Sequence, residues 1–207
     1  MTQPSTNGGT PASSGRTPAQ GNRLDPWYDV YADRAHNLRA SEIRALFSVV
    51  SRPEVVSLAG GMPNLKDLPL DKLAASAEKL IRNHGAQAMQ YGSGQGWEVL
   101  RERITEVMSY DGIVGADPDD VVVTTGSQQA LDLVTELFVN PGDVILAEAP
   151  SYVGALGVFR ARQADIVHVP MDEHGIIPEA LEETIRDVRA SGRTIKFIYI
   201  IPNYHNP

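Results

Sequence analysis

The sequence predicts an α/β fold, a mainly parallel sheet covered by helices on both faces, from three observations. Beyond Asp117-Pro118-Asp119-Asp120, short β-branched runs alternate with stretches of 3.6-residue periodicity, the pattern of strand–helix–strand units. Each intervening helical stretch is long enough to carry the chain back across a sheet, which is the connection that parallel strands require. The 207 residues are 42% hydrophobic and 21% charged, enough for one good-sized core beneath a polar surface.

The elements follow in chain order. Residues 1–22 are rich in Ser, Thr, Pro, Gly, Gln and Asn with Arg16 as the one charged side chain, and are expected to be a disordered tail. The segment has no apolar core and no Arg-rich amphipathic helix, which argues against a targeting peptide. Ser41 is a candidate N-cap for a helix through Ile43, Arg44, Leu46, Phe47 and Val50, closed by Pro53. An extended piece over 55–59 leads into Gly60-Gly61-Met62-Pro63, where two glycines allow close backbone approach. From Asp71, the spacing of Leu73, Ala77, Leu80 and Ile81 predicts an amphipathic helix that Gly85 stops. A glycine-rich loop, Tyr91 to Gly96, precedes a helix through Trp97, Leu100, Ile104, Val107 and Met108. The strands are expected at 121–124, 144–147, 166–169 and 195–201, and the helices between them at 128–138, 152–161 and 178–188.

Composition excludes several classes of function. The net charge is −8 and the basic residues are scattered, so neither nucleic acid nor an anionic membrane is the expected partner. The absence of cysteine removes disulfides, thiolate nucleophiles and Cys-based metal sites, and fits a cytoplasmic protein. No apolar run approaches the ~18 residues of a membrane span. His168, Asp172, Glu173 and His174 match no helical ligand spacing, and no metal is expected.

Three strand ends carry candidate chemistry. Thr124-Thr125-Gly126-Ser127-Gln128-Gln129-Ala130 joins a strand to a helix, so the unpaired N–H groups and positive dipole end of that helix offer an anion site, with Ser127 and Gln128 as added donors. The competing reading is an ordinary turn capped by Ser127. Tyr152, in Ala149-Pro150-Ser151-Tyr152, follows the next strand at the same sheet edge and can lie over a flat heterocycle or simply pack on a helix. Asn206, before Pro207, ends the last strand as an oxyanion donor or a turn former. A phosphate donor, a stacking ring and an amide on three strand ends form one constellation. Gly92-Ser93-Gly94-Gln95-Gly96 has no strand before it, which a dinucleotide loop needs.

From Ala40-Ser41-Glu42-Ile43-Arg44 through Ser57 to Pro63, Gln90-Tyr91, Thr124 to Leu131, Glu148 to Tyr152 and Pro202 to Pro207, the chain resembles fold-type-I pyridoxal-phosphate (PLP) aminotransferases, in the 2-aminoadipate and multisubstrate branch. The resemblance covers about residues 36 to 207. It implies a three-layer α/β/α fold of which this chain holds the front part, with a tail at 1–22, an N-terminal arm and substrate-closing segment at 23–95, and the first part of the PLP-binding domain at 96–207. It implies that Ser127 and Gln128 hold the PLP phosphate, that Tyr152 stacks on the pyridine, and that Asn206 bonds the ring's phenolic oxygen. Tyr91 would reach the cofactor of the other subunit, implying a homodimer, and Arg44, Gly60 and Gly61 would close over an amino-acid or 2-oxo-acid substrate.

The four lysines are Lys66, Lys72, Lys79 and Lys196, none in a Ser-x-Ser-Lys context. The Schiff-base lysine of the family is therefore expected beyond Pro207, with no catalytic residue within the chain and no turnover by these 207 residues alone. The alternative is a non-catalytic PLP-binding effector module of a transcription regulator.

Overall fold

A computed structural model of the chain describes residues 25–36, 52, 54–56 and 64–206. The expected tail, the helix from Ser41 with Arg44, and the Gly60-Gly61 loop lie outside the described residues. The chain divides into two compact units, Met1–Leu38 and Arg39–Pro207. In the first, Asp25 accepts the Trp27 N–H at 3.1 Å and the Tyr31 hydroxyl at 3.2 Å. These bonds fold a 3-10 turn, Tyr28–Val30, ahead of the short helix α1, Asp33–His36.

The second unit carries α2 (Leu70–Ala88), α3 (Glu98–Tyr110), α4 (Ser127–Phe138), β1 (Val144–Ala149), α5 (Val153–Ala161), β2 (Asp165–Asp172), β3 (Gly175–Ile176), α6 (Pro178–Ala190) and β4 (Ile195–Tyr199). The strands form one sheet in the order β3-β2-β1-β4. β2 and β4 both lie parallel to β1, and β3 is a short antiparallel return of β2. The expected parallel sheet is therefore present, with one antiparallel edge that a two-residue strand was too short to announce.

β1 is central, which explains why its sequence is an unbroken apolar run rather than an alternation. Ile145 and Ala147 face α5 and pack with Ala155, Leu156, Val158 and Phe159, while Val144 and Leu146 face α6 and pack with Val169 and Val188. Both faces are thus covered, as the period of two along a strand requires. In β4 the pairing jumps from Val144 opposite Ile195 to Ile145 opposite Phe197, a bulge at Lys196. The extra residue explains why Ile195 joins the α6 cluster while Phe197 and Tyr199, of the same parity, join the α5 cluster.

Two expectations are corrected. Val121 to Thr124 is not a strand: Val121 is extended, but the Val123 N–H goes to Gln95 O at 2.7 Å, and no described strand lies beside the segment. An apolar β-branched run becomes a strand only where a neighbour accepts its ladder. Nor does Gly85 end α2, which continues to Ala88 past a kink at His84, with the Met89 N–H closing on Gly85 O at 2.9 Å. Glycine inside a helix costs about 1 kcal/mol relative to alanine and need not break it. α3 is fastened by Arg101, which is buried and donates to Pro118 O at 2.6 Å and to the Asp119 carboxylate at 2.9 Å. Among the described residues no helix is long and apolar enough to cross a membrane.

The start of β4 is tied to the loop before β1 through Asp143, which accepts the Asn140 N–H at 2.8 Å and meets Lys196 Nζ at 3.2 Å. The Asn140 donor first, and Lys196 after it, hold the Asp143 carboxyl below the usual carboxylate range. A depressed folded pKa stabilises the fold fully above the unfolded value of about 4 and less as pH falls through the folded value. Asp143→Asn is therefore expected to lower the urea midpoint at about pH 7 and to converge on wild type toward about pH 2. Equal differences at both ends of the titration would show that the charge is irrelevant.

Candidate functional site

Three turns gather at the carboxyl edge of the parallel sheet, two of them leaving β1 and β4. The first is the start of α4, where Gly126 occupies the N-cap with no side-chain bond and Ser127 is already the first helical residue. This decides against a turn capped by the Ser127 hydroxyl. The earliest N–H groups of α4, those of Ser127 and Gln128, have no acceptor within the helix, so the positive end of its dipole is left for an anion. Thr125 is held back from the opening, because its N–H and hydroxyl both donate to Gln129 Oε1, at 2.6 and 2.9 Å.

The second turn follows β1. Tyr152 is half-buried at the N-cap of α5 and packs on the β1–α5 cluster. Gly154 has no side chain there, and a Cβ on it would run into the Tyr152 ring. Gln128 Nε2 donates to Gly154 O at 3.2 Å and joins the start of α4 to the start of α5. The phosphate candidate and the ring candidate are thus locked side by side.

The third turn leaves β4. Ile201 N–H donates to Glu148 Oε2 at 2.8 Å, and His205 Nε2 lies 3.0 Å from the same oxygen. Asn206 is exposed and follows His205 directly, so it sits one residue from an anchor on the end of β1. Tyr199 closes the group from β4; burial first, then Tyr152 and Glu148, push its hydroxyl above the ordinary tyrosine value. A cleft of about 680 Å³ runs along α4 beside these groups, lined by Ser127, Leu131, Val134, Tyr152, Phe159 and Tyr199 among others. It is mostly apolar, with Ser127, Thr135 and Lys196 as polar lining residues, the usual make-up of a ligand site.

Tyr91 is not drawn into this cluster. It is 99% exposed on the loop before α3, a loop moored by Gln95 Nε2 to Asp119 O at 2.9 Å. Arg44, Gly60 and Gly61 lie outside the described residues. Lys196 sits at the opposite end of β4 from the cluster, on Asp143, while Lys66, Lys72 and Lys79 are exposed in or before α2.

Sequence reasoning missed Glu148 and His205 as site residues. An acidic residue inside an otherwise apolar buried strand was the available signal, since a buried carboxylate always has partners to be found.

Comparison with known proteins decides the family. The profile described as aminotransferase class I and II matches residues 53–207. The chain belongs to the class I and II aminotransferases. It is 37% identical over 177 residues to the aromatic-amino-acid aminotransferase 1 of Thermococcus litoralis, covering 86% of this chain and 42% of that protein. It is 37% identical over 181 residues to the 2-aminoadipate transaminase of Thermus thermophilus, covering 87% and 43%. Among solved structures, the kynurenine aminotransferase of Pyrococcus horikoshii, in complex with PMP, superposes with a TM-score of 0.80 at 34% identity, over 90% of this chain and 46% of that one. The chain thus spans under half the length of the aminotransferases it matches.

Proposed function

We propose that the protein carrying this chain moves an amino group between an amino acid and a 2-oxo acid with pyridoxal 5′-phosphate, and that residues 124–206 hold the cofactor rather than perform the chemistry. The observation that carries the proposal is the Gln128–Gly154 bond, which places an uncapped helix start beside a half-buried tyrosine at the carboxyl edge of a parallel sheet. Names of relatives support it, one of them solved with PMP.

The donor set fits the group. The first amides of α4, with the Ser127 hydroxyl, match a phosphate dianion. The Tyr152 ring, seated over Gly154, offers one flat face for a pyridine, and Asn206 supplies an amide donor for the ring oxygen. Bound PLP supplies an electron sink for the bond broken at the amino-acid Cα. The chain's own residues bind and orient: α4 fixes one end of the ligand, Tyr152 fixes its plane, and Leu131, Val134 and Phe159 give the cleft an apolar wall on that side. Tyr91, wholly exposed on its own protomer, serves the site of a second copy in a homodimer, and Arg44 with Gly60 and Gly61 contacts the substrate.

Lys196 lines the far part of the cleft but is paired with Asp143 at 3.2 Å, and no lysine stands at the strand-end cluster itself, so binding without covalent capture is expected of the 207-residue chain. It should take up PLP saturably and bind pyridoxal, which has no phosphate, at least tenfold less tightly. Borohydride should then fix no PLP specifically on Lys66, Lys72, Lys79 or Lys196. Equal affinity for the two ligands would remove the phosphate role of α4, and stoichiometric labelling of one of these lysines would overturn the division between holding and chemistry.

A further inference from the structure

We infer that Glu148 is the positioning residue of the site, a buried carboxylate that fixes the turn carrying Asn206; its link to ligand binding rests on the cofactor reading above. The ladder between β1 and β4 ends where Ala147 pairs with Tyr199, and the chain then leaves the sheet at Ile200. Glu148, the next residue of β1, takes over where the ladder stops. Its side chain is 6% exposed, and its Oε2 accepts the Ile201 N–H at 2.8 Å and faces His205 Nε2 at 3.0 Å. One oxygen therefore holds both sides of the Pro202-Asn203-Tyr204 turn. Its own backbone is held from β2, where His168 Nδ1 lies 3.4 Å from Glu148 O.

A carboxylate in an apolar strand is costly unless its partners satisfy it. Among the described residues, the partners of its side chain come from the segment that ends in His205-Asn206. A hydrophobic residue at 148 would remove both the Ile201 and the His205 contact to β1. The carboxylate acts through this turn, not by contact with a substrate.

The test uses the 207-residue chain. In Glu148→Ala, amide exchange at Ile201 should accelerate at least tenfold relative to Ile145 and Leu146, while Glu148→Gln, which keeps an acceptor oxygen, should stay within about threefold of wild type. A hydrogen-bond coupling between the Ile201 nitrogen and the Glu148 carboxylate carbon should be measurable in the wild-type protein, so the inference stays decidable even if the alanine variant does not fold. Unchanged Ile201 exchange in E148A, or no such coupling, overturns it. For the ligand, E148A and N206A should each weaken PLP binding about tenfold, the worth of one good hydrogen bond, and the double variant should weaken it no further. Additive losses would mean that Glu148 acts only on general stability. If wild type does not take up PLP at all, the cofactor reading fails, while the exchange and coupling data still decide the latch.

Discussion

Phe159→Ala is expected to cost about 3–5 kcal/mol of folding free energy, the range for a fully buried aromatic, and so to remove a large share of the ~5–15 kcal/mol that holds a typical domain together. Phe159 is 1% exposed and sits at the centre of the α5 face of the sheet. Its ring meets Phe197 edge-on at 5.9 Å and Tyr199 at 5.4 Å, so truncation breaks two aromatic pairs and leaves a cavity between α5 and β4. Eleven hydrophobic residues are buried among those described, a small core in which Phe159 is the largest fully buried side chain. Val188→Ala on the opposite face is the control; it removes two methyl groups and should cost only about 1–2 kcal/mol. Urea unfolding followed by circular dichroism separates the two. A Phe159→Ala midpoint no lower than that of Val188→Ala would show that the α5 face does not carry the stability assigned to it.

The same contacts show which parts of the fold were legible in the sequence. β1 could be read because a strand buried on both faces needs Val, Ile, Leu and Ala in succession, and α5 and α6 because their apolar residues recur every three or four positions. The Val121 to Thr124 run has the same appearance and is no strand, since residue type reports burial and stiffness but not the presence of a neighbour to pair with. The bulge at Lys196 was also hidden: it depends on register against β1, which no local pattern encodes. The helix starts at Ser127 and Val153 were legible because a turn into a helix fixes its own geometry within a few residues. Glu148 and His205 are 57 residues apart and meet only after the sheet has formed, so neither signalled the other.

Gly126→Ala is expected to have the largest effect on ligand binding. Gly126 has φ 90° and ψ 166°, a backbone region that is essentially open to glycine alone, and forcing an L side chain into it costs about 1–3 kcal/mol. The variant can relieve this only by turning the peptide that aims the Ser127 and Gln128 amides out of the helix. Each N–H lost from a phosphate oxygen is a charge-assisted bond of about 1.5–3 kcal/mol, so one misaligned donor should weaken PLP binding tenfold or more. Pyridoxal isolates the cause, because a ligand with no phosphate has nothing to lose at this turn and its affinity should hardly change. Ser127→Ala removes a hydroxyl but leaves the backbone intact, and should fall between wild type and Gly126→Ala. Equal losses for PLP and pyridoxal in Gly126→Ala would mean that the glycine serves the fold of the turn alone, and that the phosphate is held elsewhere.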